Sequence, residues 1–468
     1  MGVRSPAHPA SFFPSAGRSR LLALCPPADM GCPMHDQLNG RTRLVVLGLD
    51  GLPFSLAQSL CRDGSLPNLA TLALSPNARA IRAELPELSP VNWASFVTGK
   101  NPGGHGVFGF SQIDPASYAQ SLVDSSAVKA STIFERMGEK GLTSKVLNLP
   151  GAYPAKPIPG MMVAGFVAHD LQKAVHPPFL ASILAGEGYQ LEADTTRGAK
   201  DPDYLLSQVR ATLRSRTRAL ELFWPDLSWD LFMLVLTETD RLFHFFYPAV
   251  ANHQHALHGA FMEFLVEWDR LIGVVLERFD ALKGPKRLIV LADHGFTECI
   301  TEVDLNVWLM SQGILTLKDR GTNEYDSQAI APHESAAFAL DPGRIFINVK
   351  ERFARGVFHQ YIADKLKDEL KASLMELSHE GKPIMAAVHD PREIYSGPFT
   401  FKAPDLICEA RPGYALTGKF DRLQLCGLHG RYGVHTAGDA FFYDSQGAAP
   451  ATVSEAGREM FTYFGLGD

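Results

Sequence analysis

Asp240 and His244 lie four residues apart in TDRLFHFF, the spacing at which a helix sets two side chains on one face and lets both reach one ion. Alone, such a pair more often marks a buried or solvated histidine. Asp293 and His294 stand side by side in LADHGF, His435 lies in GVHTAGDAFF, and Asp50 closes the run RLVVLGLDG. Three carboxylates and three imidazoles without a thiolate form a nitrogen and oxygen inventory that suits Zn2+ or Mn2+ and could fill two sites. Two divalent ions would set about four positive charges against three carboxylates, enough to attract a phosphoryl group. The candidate nucleophile is Ser89 in ELPELSPVNWASFVTGKNPGGHG, between Pro86 and Pro90 and ahead of a small-residue helix. Read by itself this serine is a helix N-cap. No GxSxG elbow is present, so an α/β-hydrolase triad is not supported.

These residues need elements to carry them. RLVVLGLDG (43–51), DLFMLVLTETD (230–240) and KRLIVLADHG (286–295) are apolar runs of the kind buried on both faces of a parallel sheet, and each ends in an acid. One acid after a strand reads equally as a helix N-cap. Three acids at the carboxyl edge of one sheet, where open α/β folds bind ligands, indicate a site. From His258 to Leu282 the residues Phe261, Leu265, Trp268, Ile272, Val275 and Phe279 recur at three and four, which predicts a helix packed on the sheet. Further strands are expected at 144–151, 161–167, 343–349 and 405–410, and their alternation with helices predicts a doubly wound sheet. Segments 151–225 and 311–400 fit that pattern poorly and read as insertions. No internal repeat is found.

The 468 residues, 46% apolar and 20% charged, exclude a disordered chain, collagen and coiled coil. A net charge of −7 without long runs of one sign argues against a nucleic-acid polymer as partner. The six cysteines, at 25, 32, 61, 299, 408 and 426, include no CxxC, which suggests neither a disulfide framework nor a thiolate zinc site. No apolar stretch is long enough for a transmembrane helix. Residues 1–40 read as a disordered extension, or as sequence upstream of a true start at Met30 or Met34. Their apolar run Leu21 to Leu24 is too short for a secretory signal, so the cytoplasm is the expected compartment.

In their order along the chain, RLVVLGLDG, SLPNLATL (65–72), LSPVNWASFVTGKNPGGHG, TETDRLFHFF, LADHGF and GVHTAGDAFF resemble the alkaline phosphatase superfamily, specifically its type I phosphodiesterase/nucleotide pyrophosphatase branch. The resemblance runs from about Arg43 to Phe442. It implies an alkaline-phosphatase-like α/β fold, a doubly wound and mostly parallel sheet with helices on both faces and inserted cap segments, over residues 41–468. It also implies a metal-dependent hydrolase of phosphodiester or phosphoanhydride bonds in small molecules or nucleotides, with two divalent ions, Zn2+ ahead of Mn2+. Carried over by motif, Ser89 is the nucleophile and Asn92 helps bind the phosphoryl oxygens. Asp240, His244 and His435 would hold one metal, and Asp50, Asp293, His294 and the Ser89 oxygen the other. The branch more often has threonine at the nucleophile, and Pro90 stands where an aromatic residue is common in the animal pyrophosphatases.

Other readings on the same fold are a phosphomonoester or phosphonate hydrolase and, behind them, a cofactor-independent phosphomutase. A sulfatase is disfavoured because SPVNW lacks the formylglycine motif. From another class, a catalytically silent binding protein would show a lost ligand or nucleophile, and all seven positions retain workable residue types. Lys100 reads as a surface lysine, His253, His255 and His258 as solvated or rim residues, and His105 as a structural hydrogen-bonding residue. His429 competes with His435, but only His435 has the family context.

Overall fold

The run RLVVLGL leaves no face for water. In a computed structural model of the chain, which describes residues 40–62 and 64–467, it is the fully buried strand β1 (Arg43–Leu49). The expected extension, with Met30, Met34, Cys25 and Cys32, lies outside the described residues apart from Gly40.

Seven more strands complete the central sheet: β2 (Ala78–Ile81), β3 (Ser144–Leu149), β4 (Gly160–Ala164), β5 (Val175–His176), β6 (Leu231–Leu236), β7 (Lys286–Leu291) and β8 (Ala440–Asp444). Their order is β2-β8-β7-β1-β6-β3-β4-β5. The five from β7 to β4 are parallel, β8 runs antiparallel to β7, β2 antiparallel to β8, and β5 antiparallel to β4. Gly48 is level with Leu291 on one side of β1, and Leu49 with Leu236 on the other. The three acid-tipped strands are therefore neighbours whose carboxyl ends stop at one height, and their next residues must share one edge.

Helices α1 (Ser89–Thr98), α2 (Pro202–Phe223), α3 (Glu238–Ala251) and α4 (His258–Ala281) surround this sheet. The predicted stripe of α4, from Phe261 to Phe279, is buried in the main core. Segment 151–225, expected to stand apart as an insertion, instead supplies β4, β5 and α2, whose Leu205, Val209 and Leu220 enter that same core. Among the described residues no helix is long and apolar enough to cross a membrane.

The strands expected at 343–349 and 405–410 form, but not in the central sheet. Arg344–Ile347 and Leu406–Ala410 lie in a second, antiparallel sheet with Ala337–Leu340 and Met385–His389. A three-residue turn between Leu340 and Arg344 can join only antiparallel partners, so a local hairpin took precedence over the long crossover a parallel pairing needs. Phe338, Phe353, Leu370 and Leu374 form a core of their own there, with the helix Gln360–Met375 against the strand Met385–His389. This lobe braces the loop before α1. Tyr395 donates from its hydroxyl to the Leu85 carbonyl at 2.5 Å, and Arg82 pairs with Glu409 at 2.7 Å.

One close approach ties the core to the acid edge. A Cβ on Gly48 would lie 2.5 Å from Trp93 Cη2 and 3.0 Å from Val235 Cγ2. The fully buried Trp93 donates from Nε1 to Asp50 Oδ2 at 3.1 Å. Gly48→Ala must therefore move Trp93 and loosen Asp50. We expect a cost of about 1–3 kcal/mol from overpacking, read as a melting temperature lower by a few degrees.

Candidate active site

Asp50, Asp240, Asp293 and His294 sit just beyond the ends of central strands. Asp50 follows β1, and the turn it enters needs a left-handed residue, which Gly51 supplies with φ +70°. The Gly51 amide donates to Asp293 Oδ1 at 3.1 Å. Asp293 and His294 follow β7 after Ala292, and α3 opens just after β6, so Asp240 and His244 fall in its first turns on one face. Pro248 accompanies a break at Phe246 later in that helix and leaves this part regular. His435 arrives on the short strand Gly433–Thr436, antiparallel to Gly295–Glu298, which places it opposite Phe296.

The structure brings together seven of the eight candidate residues. Asp240 Oδ1 lies 3.4 Å from His244 Nε2 and 3.3 Å from His435 Nε2, and these two nitrogens are 3.2 Å apart. Asp50, Asp293 and His294 form the adjoining group, their ligand atoms within 4.8 Å of one another. His294 is shared more evenly than expected, with its Nε2 3.9 Å from both Asp50 Oδ1 and Asp240 Oδ1. Ser89 is the first residue of α1 and Leu88 occupies the N-cap, so the expectation of a serine cap is corrected. Its Oγ instead faces His294 Nε2 at 3.3 Å and Asp50 Oδ1 at 3.5 Å.

Asn92 is the exception. It is completely buried, its Nδ2 donates to the carbonyls of Glu84 and Leu88 at 3.1 and 3.2 Å, and its Oδ1 accepts from the Glu84 amide at 2.7 Å. Both amide hydrogens are thus spent on backbone. Asn92 thus braces the loop that delivers Ser89, whereas the phosphoryl-binding role expected of it calls for an amide hydrogen turned to the substrate.

The electrostatics of the cluster call for cations. Burial, followed by repulsion from Asp293 and Asp240, raises Asp50 well above the usual carboxylate range. Burial and then Asp240 push Asp293 up to about 6, and its Oδ2 is buried without a hydrogen bond. Burial also opposes ionisation of Asp240, but His244, a hydrogen bond with His435, and Arg241 outweigh it and hold this carboxyl well below its ordinary value. Burial lowers all three imidazoles, His435 being depressed further by His294. Two of them have their tautomer fixed, because a carbonyl can only accept: His435 Nδ1 meets Glu87 O at 2.8 Å and His294 Nδ1 meets Gly295 O at 3.1 Å. Their Nε2 lone pairs therefore point at carboxylate oxygens. Converging lone pairs and buried carboxylates repel one another and suit a pair of divalent ions with nitrogen and oxygen ligands.

Trp93, Thr239 and Arg241 escaped the sequence reading. Thr239 donates from Oγ1 to the Asp50 carbonyl at 2.6 Å, and Arg241 reaches Asp240 Oδ2 at 3.4 Å. Only the place of Arg241 beside Asp240 could have singled it out. His105 is structural, fully buried between Ser95 Oγ and the Val107 amide, while His429 and Lys100 are exposed. His258 meets the Ala249 carbonyl through Nδ1, and His253 packs edge-on against its ring.

The family described as type I phosphodiesterase / nucleotide pyrophosphatase matches residues 44–435. No curated protein matches the chain in sequence. Among solved structures, the phosphonoacetate hydrolase of Sinorhizobium meliloti with phosphonoacetate bound is similar at a TM-score of 0.60 and 15% identity, over 91% of this chain and 96% of that one. Murine ectonucleotide pyrophosphatase/phosphodiesterase 5, as an inactive variant in complex with AMP, is similar at 0.52 and 14%, and the human protein at 0.52 and 13%, with the same coverage of both chains. At these identities the likeness is one of fold, that of the alkaline-phosphatase-like enzymes.

Proposed function

Because the chain belongs to the type I phosphodiesterase/nucleotide pyrophosphatase family and is a phosphoric ester hydrolase, we propose that it cleaves phosphodiester or phosphoanhydride bonds through a phosphoseryl intermediate on Ser89. The family is generally metal-dependent. In this reading Asp240, His244 and His435 hold one divalent ion and Asp50, Asp293, His294 and Ser89 Oγ the other, most simply both Zn2+. The observation that carries it is the Ser89 hydroxyl at the amino end of α1, facing both Asp50 and His294.

The bound ions would supply Lewis acidity, lowering the pKa of the serine hydroxyl and taking up charge on the leaving oxygen. The chain supplies the geometry. Trp93 and Thr239 fix Asp50, the Glu87 carbonyl turns His435, and the Asn92 brace holds the loop that delivers Ser89. Ser89 Oγ forms a bond to phosphorus as the bond to the leaving oxygen breaks. Water then cleaves the phosphoserine and returns the serine. The backbone N–H of Ser89 has no partner within its helix and sits at the positive end of the helix dipole, where it can donate to a phosphoryl oxygen.

The decisive comparison is turnover of a bis-aryl phosphate diester against the matching aryl monoester and phosphonoacetate, each in Zn2+ and in Mn2+. We expect the diester to be preferred. A monoester preference would move the assignment to a phosphatase. Release of phosphate from phosphonoacetate alone would move it to the chemistry suggested by the compound bound in the Sinorhizobium meliloti enzyme.

A further inference from the structure

We propose that Arg241 is a phosphoryl-binding residue, donating from its guanidinium to a non-bridging oxygen of the substrate. The inference rests on the function proposed above and identifies a side chain with unspent donors, where both amide hydrogens of Asn92 meet backbone carbonyls.

Arg241 follows Asp240 on α3 and is held on three sides. Nη2 donates to Glu192 Oε2 at 2.9 Å, Nη1 lies 3.4 Å from Asp240 Oδ2, and the guanidinium carbon sits 4.0 Å from the centroid of the Phe166 ring. Glu192 anchors one arm and Phe166 sets the plane, so the fork has little freedom left to lose on binding. Its side chain is only 13% exposed.

Donor accounting points to a missing acceptor. A guanidinium carries five N–H groups. Among the described residues only Glu192 takes a short bond from it, Asp240 makes one long contact, and Nε is buried without any partner. Buried donors left unpaired are costly, so a well-packed cation in this state suits an anion with several oxygens. Position supports the same conclusion. Arg241 Nη1 lies 3.4 Å from Asp240 Oδ2, and the other oxygen of that carboxylate lies 3.3 Å from His435 Nε2 and 3.9 Å from His294 Nε2, so the guanidinium borders the ligand cluster.

The test uses inorganic phosphate as the probe, because its binding can be read without turnover. Phosphate affinity, from calorimetry and from inhibition of diester turnover, is measured for the full chain and for Arg241→Gln, Arg241→Lys and Glu192→Gln, alongside bound metal per chain and thermal melts. We expect Arg241→Gln to bind phosphate on the order of 10- to 100-fold more weakly with unchanged metal content. Arg241→Lys should recover part of the loss, and Glu192→Gln should fall between wild type and Arg241→Gln. Unchanged phosphate affinity in Arg241→Gln overturns the proposal. So does weakened affinity accompanied by loss of metal, which would make Arg241 a positioning residue for Asp240. If Arg241→Gln does not fold, Glu192→Gln decides, and unaltered affinity there overturns the proposal. A wild-type chain that neither binds phosphate nor turns over any phosphoester would sink the proposed function together with it. An active wild type with an indifferent Arg241→Gln sinks only the inference.

Discussion

Ser89→Ala is expected to lower kcat/KM for a bis-aryl phosphate diester by about 10³-fold or more while leaving the fold intact. The serine side chain does not cap α1, since Leu88 holds that position, and its Oγ faces the carboxylate and imidazole cluster at Asp50, His294 and Asp293. Alanine is also a strong helix former, so the substitution removes the proposed nucleophile and little else. Initial rates beside thermal melts check both halves, and intact-mass measurement on acid-quenched wild type should find a phosphorylated chain that the variant lacks. Full activity in Ser89→Ala would refute the covalent route.

Metal removal is the second large effect, and it carries a sign that a merely acidic pocket would not show. Chelation should abolish turnover and restoration of Zn2+ should return it. In the metal-free protein Asp293, raised to about 6 by burial and by Asp240, keeps a proton that the unfolded chain has already lost above its ordinary value. A raised carboxyl pKa means that this group's contribution falls as pH rises from about 4 to 6 and stays low above that window. The shift of roughly two units is worth on the order of 3 kcal/mol. Asp293→Asn keeps an acceptor for the Gly51 amide and removes the charge. At pH 7.5 without metal it should therefore melt a few degrees above wild type, with the gain shrinking toward pH 4.5. With Zn2+ the order should reverse, because wild type, with all of its ligands, gains more stability from binding than the variant does. Lower melting temperatures for the variant under both conditions would contradict the metal assignment for this carboxylate.

Much of the site was legible because its chemistry is local. A carboxylate one residue beyond an apolar strand, or four residues from a histidine on a helix, has its place fixed by strand and helix geometry, and Asp50, Asp240, His244, Asp293 and His294 all meet as that geometry requires. The serine was legible as a residue but not as a position, since a cap and a first helical turn differ by one residue and by where the hydroxyl points.

What the sequence determined by itself was therefore the inventory and its edge: nitrogen and oxygen groups of the types that suit divalent ions, a serine hydroxyl beside them, and the sheet that presents them. The tertiary structure decided partnership. Asn92 became a brace because the Glu84 and Leu88 carbonyls fold back onto its amide, and Arg241 acquired significance because Glu192 and Phe166 close around it. The strands Arg344–Ile347 and Leu406–Ala410 formed as their composition predicts but joined a second sheet. The reason is common to all three. A hydrogen-bond donor or a strand edge is satisfied by whatever acceptor the folded chain brings to it, and composition fixes the need without fixing the partner.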